Sequence, residues 1–197
     1  MLICVVWMMQ HYKEDIFYYV YGFLHCENYR KTFANDLKKM LPRIPLVEKA
    51  EDFWAFSKAG RQLADLHLNY ETIEPYNKCV VVYQPYEQIS YRVQKMKFGG
   101  TSKQKDKTTI IYNNLITINN IPLKAYEYVV NGKSAIEWIM ERYAVKIDIK
   151  SGITNDANDW CDEVGDEKYI FNLLLRIINL SCQSVDIINS LPKVEFE

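Results

Sequence analysis

Between Arg92 and Lys107 the chain holds six cations, Arg92, Lys95, Lys97, Lys103, Lys105 and Lys107, against one carboxylate, Asp106. Tyr91 precedes the run, and Tyr112, Asn113 and Asn114 follow it. Lysine ammonium groups neutralise phosphates, whereas Arg and Asn form paired hydrogen bonds with the edges of guanine and adenine. A two-stranded ribbon is narrow enough to enter the major groove. The chemistry on offer is binding to duplex DNA. Lys95, Lys97, Lys103, Lys105 and Lys107 would anchor phosphates, and Arg92, Asn113 and Asn114 would contact bases or sugars. The same charge pattern also suits a solvated, lysine-rich loop. A second basic cluster, Arg30, Lys31, Lys38, Lys39 and Arg43, reads as the solvent face of an amphipathic helix.

Catalytic signatures are missing. There is no G-x-x-x-x-G-K-[ST] to cradle a nucleotide's phosphates, no G-x-G-x-x-G turn and no G-x-S-x-G elbow. An amino-methyltransferase needs an Asn/Asp-Pro-Pro-aromatic motif to hold the target amine. Glu74-Pro75-Tyr76 and Gln84-Pro85-Tyr86 lack its second proline and its acceptor. Asp148-Ile149-Lys150 matches part of a metal-nuclease pattern in letters only. His25 sits among aromatic residues and reads as a packed histidine. His67, near a helix end, reads as a packing or dipole partner. The five cysteines, at 4, 26, 79, 161 and 182, show no metal-ligand spacing and read as reduced thiols. No catalytic residue, metal site or cofactor is expected.

Net charge is −1, so any nucleic-acid role must rest on a local patch. With 49% apolar residues, 197 residues can build a real core. The opening LICVVWMM is too short for a membrane span and lacks a signal peptide's basic start. A cytoplasmic protein without membrane association is expected. Fifteen tyrosines suit half-wet cores and interfaces.

The elements that must position the cations follow from the patterning. Asp15 can cap a helix through IFYYVYGFLH, and Asn28 can start a second, YRKTFANDLKKML, stopped by Pro42 and Pro45. A third helix is expected from Ala50 to Leu68. After Pro75 the texture turns to strands: Lys78–Tyr83, Ile89–Phe98, Thr108–Tyr112 and Leu115–Ile118. GGTSKQKDK reads as a polar loop. Pro122 opens a helix-like LKAYEYV, ended by Asn131-Gly132. Ser134 and Glu137 form a capping box for a helix whose apolar face is Ile136, Ile139, Met140 and Tyr143. VKIDI alternates as a strand. Asn155, Asp156, Asn158 and Asp159 imply a rigidly shaped turn. The acidic run Asp156–Glu167 is expected to lie away from DNA or fold locally. A long apolar helix runs from about Glu167 to Leu191-Pro192. The organisation is α+β: N-terminal helices, then a small mixed or antiparallel sheet with packed helices and a long C-terminal helix. Residues 1–71 read as a helical connector and 72–197 as an α+β recognition domain, possibly one continuous unit with the helices.

Three stretches resemble the C-terminal part of type ISP restriction–modification enzymes: DIFYYVYGFLHCENYRKTFANDLKKMLPRIPL, FWAFSKAGRQLADLHLNYE and KTTIIYNNLITINNIPLKAYEYVVNGKSAIEWIMERYAVKIDIKSGITNDANDW. The resemblance implies a large polypeptide with a nuclease, a helicase-like ATPase, an adenine N6-methyltransferase and then a target-recognition region, of which this chain matches the last. Its catalytic motifs would lie upstream. Its partners would be double-stranded DNA and the upstream methyltransferase and helicase portion. GITNDANDW has Ala157 where the family more often has Pro, and reads as a structural loop. MLICVVWMMQHYK does not resemble the family and is expected to be the accidental start of a split reading frame. The reading that follows is a non-catalytic, sequence-specific DNA recognition module. The alternative is an interaction module that docks onto a separate methyltransferase or helicase subunit and does not bind DNA by itself.

Overall fold

The computed structural model describes residues 13–85 and 88–196. The opening segment with Cys4, and Tyr86, lie outside the described residues. Among these residues are six α-helices and eight short strands, the expected α+β class. The chain forms two compact units, one comprising Met1–Asn69 with Asp186–Glu197, the other Tyr70–Val185.

In the first unit, α1 (Lys13–Phe23) packs along α3 (Ala50–Leu68), and α2 (Glu27–Thr32) follows α1. Tyr19, Phe23, Tyr29, Phe53 and Phe56 form a buried aromatic core. Tyr19 stacks on Phe53 at 4.8 Å between centroids. The tyrosines bury their rings but keep a polar partner. Tyr19 donates to Pro45 O at 2.7 Å and Tyr29 to Arg43 O at 2.9 Å, which ties down the PRIP segment. The expected helix through residues 28–41 is cut short. Helix α2 ends at Thr32, and Phe33 leaves helical geometry at φ −102°, ψ 22°. The β-branched Thr32 and the backbone-competing pair Asn35-Asp36 sit where it fails. Residues beyond form turns, with Leu37 N donating to Phe33 O at 2.9 Å.

The second unit holds a four-stranded antiparallel sheet in the order β1 (Val80–Tyr83), β4 (Ile116–Asn119), β3 (Lys105–Ile111), β2 (Lys97–Gly100). Ile110, Ile116 and Ile118 point into the core, where α6 (Tyr169–Asn189) contributes Ile170, Leu174 and Ile178. Helix α6 is apolar enough to cross a membrane by length and composition, but 67% of that stretch is buried inside the protein. The strap of Ile73–Tyr76 lies along α6: Arg176 Nε donates to Ile73 O at 3.1 Å and Asn179 to Glu74 O at 2.8 Å.

LKAYEYV is one 3-10 turn, Leu123–Tyr126, rather than a longer helix-like segment. After it, β5 (Val129–Val130) and β6 (Lys133–Ser134) pair as a hairpin around Asn131-Gly132. Helix α4 (Ala135–Arg142) starts at the capping box: Ser134 Oγ accepts from Glu137 N at 3.2 Å, and Glu137 accepts from Ser134 N at 3.1 Å. VKIDI supplies only β7 (Lys146–Ile147), paired with β8 (Thr154–Asn155). Between them Asp148 accepts from Lys150 N, Ser151 N and Ser151 Oγ, so it serves a turn. Where a shaped turn and structural loop are expected at Asn155–Asp159, the chain instead enters α5 (Ala157–Val164), with Asp156 as N-cap and Gly165 in the left-handed region at φ 70°. Asp before and Gly after an eight-residue segment was the available signal.

Candidate nucleic-acid interface

The cation-rich segment folds as a hairpin, not as strand–long loop–strand. Gly100 turns the chain at φ 75°, and Thr101 N donates to Gln104 O at 2.9 Å. Gln104 N returns a bond to Thr101 Oγ1 at 3.1 Å. Lys103 therefore sits at the tip, and Lys105 and Lys107 lie on β3. The register shifts between Phe98 and Gly99, so Lys107–Thr109 form an irregular stretch opposite that step. Such bulges re-aim side chains. Lys107 Nζ turns to Glu137 at 3.1 Å and sits 5.0 Å over the Tyr126 ring. Burial works to raise the pKa of Glu137, but the Ser134 bonds and Lys107 outweigh it and hold the carboxyl below its usual range.

Before β2, Ile89–Met96 alternates like a strand yet forms no strand ladder. Its backbone is held mostly by side chains. Asn113 Nδ2 donates to Ser90 O and Arg92 O, both at 2.9 Å. Tyr112 Oη donates to Tyr91 O at 2.8 Å. Asn158, 2% exposed, accepts from Val93 N and donates to Val93 O, both at 2.9 Å. Val145 N adds a bond to Gln94 O at 2.9 Å. The fixed segment faces a cleft of about 380 Å³, with Arg92, Gln94, Lys95 and Lys97 on one stretch and Ile111, Asn113 and Asn114 on another.

Five of the eight sequence-selected residues thus meet at one cleft, but not in equivalent roles. Arg92 is surrounded by the acidic run, which folds locally as α5 against the basic segment. Its Nη1 bonds Asp162, and its Nη2 lies 3.4 Å from both Asp156 and Asp159. The bond to Asp162, reinforced by the other carboxylates, strengthens its charged state. Asn113 is fully used: besides its two donor bonds, its Oδ1 accepts from Leu115 N at 2.9 Å and Ile116 N at 2.8 Å. Both side chains build the site. Lys95, Lys97, Lys103 and Lys105 are exposed and have no carboxylate partner among the described residues. Asn114 is exposed and likewise unbonded through its side chain there. Gln94, which the sequence reading passed over, joins it at the cleft. It is the polar residue between two lysine-bearing positions, and only the fold shows that it is presented.

A small antiparallel sheet backed by a long buried helix, with exposed lysines on one hairpin, makes the second unit an α+β domain. The chain belongs to the Type ISP C-terminal specificity domain family, whose model matches residues 10–173. It is similar to part of a nuclease-deletion mutant of the Type ISP restriction–modification enzyme LlaGI, solved in complex with a DNA substrate mimic. That match has 49% identity over 94% of this chain and 14% of that one, with a TM-score of 0.81. The ATP-dependent Type ISP enzyme LlaBIII, bound to DNA, matches at 44% identity over all of this chain and 12% of that one, with a TM-score of 0.84. A DrdV–DNA complex matches at 26% identity over 94% of this chain and 18% of that one, with a TM-score of 0.77. The chain therefore spans under a fifth of each of these solved chains. No match was found among curated protein sequences.

Proposed function

We propose that this chain is the DNA target-recognition module of a Type ISP-like restriction–modification enzyme, that it binds duplex DNA sequence-specifically, and that it has no catalytic activity of its own. Lys95, Lys97, Lys103 and Lys105 anchor phosphates, and Lys107 adds a fifth contact if it leaves Glu137. Asn114 contacts bases or sugars. Arg92 and Asn113 hold the reading segment in place. The observation that carries this reading is a row of exposed lysines without carboxylate partners among the described residues, in a specificity-family chain whose structural neighbours hold DNA. Nuclease, helicase and methyltransferase chemistry belongs to upstream partners, in the cytoplasm.

A mobility-shift titration at several salt concentrations tests it. Four to five neutralised phosphates give a slope of log K against log salt of about −4, at roughly −0.9 per phosphate. Absent or salt-insensitive binding overturns the reading. The first unit favours a second one, docking onto the rest of such an enzyme. Phe17 and Trp54 are 61% and 44% exposed there, and a groove of about 650 Å³ includes Leu41, 87% exposed. Co-elution with the upstream polypeptide, with no DNA binding by the chain itself, is the outcome that reading requires.

A further inference from the structure

The cleft beside the hairpin separates its polar side chains into two kinds. Arg92 and Asn113 are committed to carboxylates and backbone groups within the chain. The amides of Gln94 and Asn114 face solvent and have no hydrogen-bond partner among the described residues. An ordinary surface amide could look the same, but these two line one cleft whose backbone is fixed. Val93, next to Gln94, is held through both its N–H and its C=O by Asn158. Asn114 lies in the turn that Asn113 organises. The cleft also contains one exposed apolar side chain, Ile111, at 39%, directly opposite Lys97 in the strand register.

A carboxamide carries a donor and an acceptor in one plane. Adenine presents the complement in the major groove, the N7 acceptor beside the N6 donor, whereas guanine presents two acceptors and would leave the amide oxygen facing O6. Thymine carries a C5 methyl in the same groove, which cytosine lacks. We infer that this cleft reads an A·T base pair: the amide of Gln94 or Asn114 pairs with adenine N7 and N6, Ile111 meets the thymine methyl, and Lys95 and Lys97 hold flanking phosphates. The inference rests on the DNA-recognition reading and adds which base pair is read and by what.

The test uses the full chain. Its preferred duplex is first selected from a randomised pool. Each adenine of that duplex is then replaced by 7-deaza-adenine, which removes N7, and each thymine by uracil, which removes the methyl. At one A·T pair, 7-deaza-adenine should weaken binding at least fivefold, the lower end of what a bidentate base contact contributes. Uracil at the same pair should weaken it about fourfold, as for one buried methyl-sized group. Gln94→Ala or Asn114→Ala should abolish the first penalty and Ile111→Ala the second. Lys95→Ala should instead weaken all duplexes alike and make the salt slope about one unit shallower. If the wild type selects a sequence but no A·T pair shows these penalties, or they survive the substitutions, the cleft assignment is wrong and DNA recognition stands. If the wild type binds every duplex equally, or none, both readings fall.

Discussion

Asn158 grips Val93 by both backbone groups, its amide acting as one rung of a ladder that Ile89–Met96 otherwise lacks. The pair is 65 residues apart in sequence and both are fully buried. Asp156 Oδ1 completes the arrangement by accepting from Asn158 N at 2.9 Å and from its amide at 2.5 Å. Replacing Asn158 with Ala leaves a buried N–H and a buried C=O without partners. The expected cost is about 2–6 kcal/mol, at 1–3 kcal/mol for each of the two stranded groups. Urea unfolding should show it, and amide exchange at Val93 should accelerate more than at Ile116. Unchanged exchange at Val93 would show that the segment is held by its other bonds.

The pairing of α1 and α3 depends on two glycines. A Cβ on Gly60 would lie 2.7 Å from Gly22 N and closer still to the Tyr18 carbonyl, while one on Gly22 would press on the Phe56 carbonyl. The obstacles are backbone, so no side-chain rotation relieves them. Gly60→Ala should destabilise the protein by about 3 kcal/mol despite alanine's better helix propensity. A melting temperature equal to or above that of the wild type would disprove the close crossing.

Tyr21, His25 and His67 form a small cluster in the first unit. The Tyr21 hydroxyl and His67 Nδ1 are 2.7 Å apart, and His25 Nδ1 lies 2.8 Å from Tyr21 O. Burial, with His25 nearby, pushes His67 down to about 4, and burial also lowers His25. Near neutrality His67 is uncharged folded and unfolded, so it makes stability there independent of its titration. As pH falls from 6.5 towards 4, the unfolded chain takes up a proton that the folded chain refuses. Stability is lost across that window and the loss is complete below about 4. The urea midpoint should therefore drop between pH 6.5 and 4, and His67→Gln should make that drop shallower. Parallel curves for the two proteins would exclude His67 as a source.

What could be read from the chain alone was what is local. The Ser134–Glu137 capping box lies within four residues and marks α4, and the dense apolar pattern of α6 declares a core helix. Residues 89–96 show where local reading stops. They alternate as a strand does, but most of their backbone partners are the side chains of Asn113, Tyr112 and Asn158, which no period reveals. The lysines were visible as a charge pattern. Arg92 reads from the sequence as a contact to bases or sugars with no carboxylate beside it, because its three carboxylates follow 64 to 70 residues later. The ion pairs that brace Arg92 within the protein become visible only when α5 brings those acids back to it.

That brace also tunes the charge of the cleft. Asp159 and Asp162 are 70% and 61% exposed in their side chains, and they place negative charge beside Arg92, one of the residues that line the cleft. Asp156 is 13% exposed and caps α5, so it cannot be changed without disturbing the helix. Asp159→Asn with Asp162→Asn leaves that cap intact, keeps side-chain acceptors near Arg92 and removes two negative charges. Phosphates approaching the cleft would then meet less repulsion, and Arg92 would become available to one of them. The double variant should bind duplex DNA more tightly, with a salt slope steeper by about one unit for the added cation–phosphate contact. The gain should shrink as salt rises, because exposed charges are screened within about 8–10 Å at physiological strength. Adding Arg92→Ala to the double variant should restore the original slope. Equal affinity and slope for the double variant and the wild type would mean that DNA does not approach this cleft.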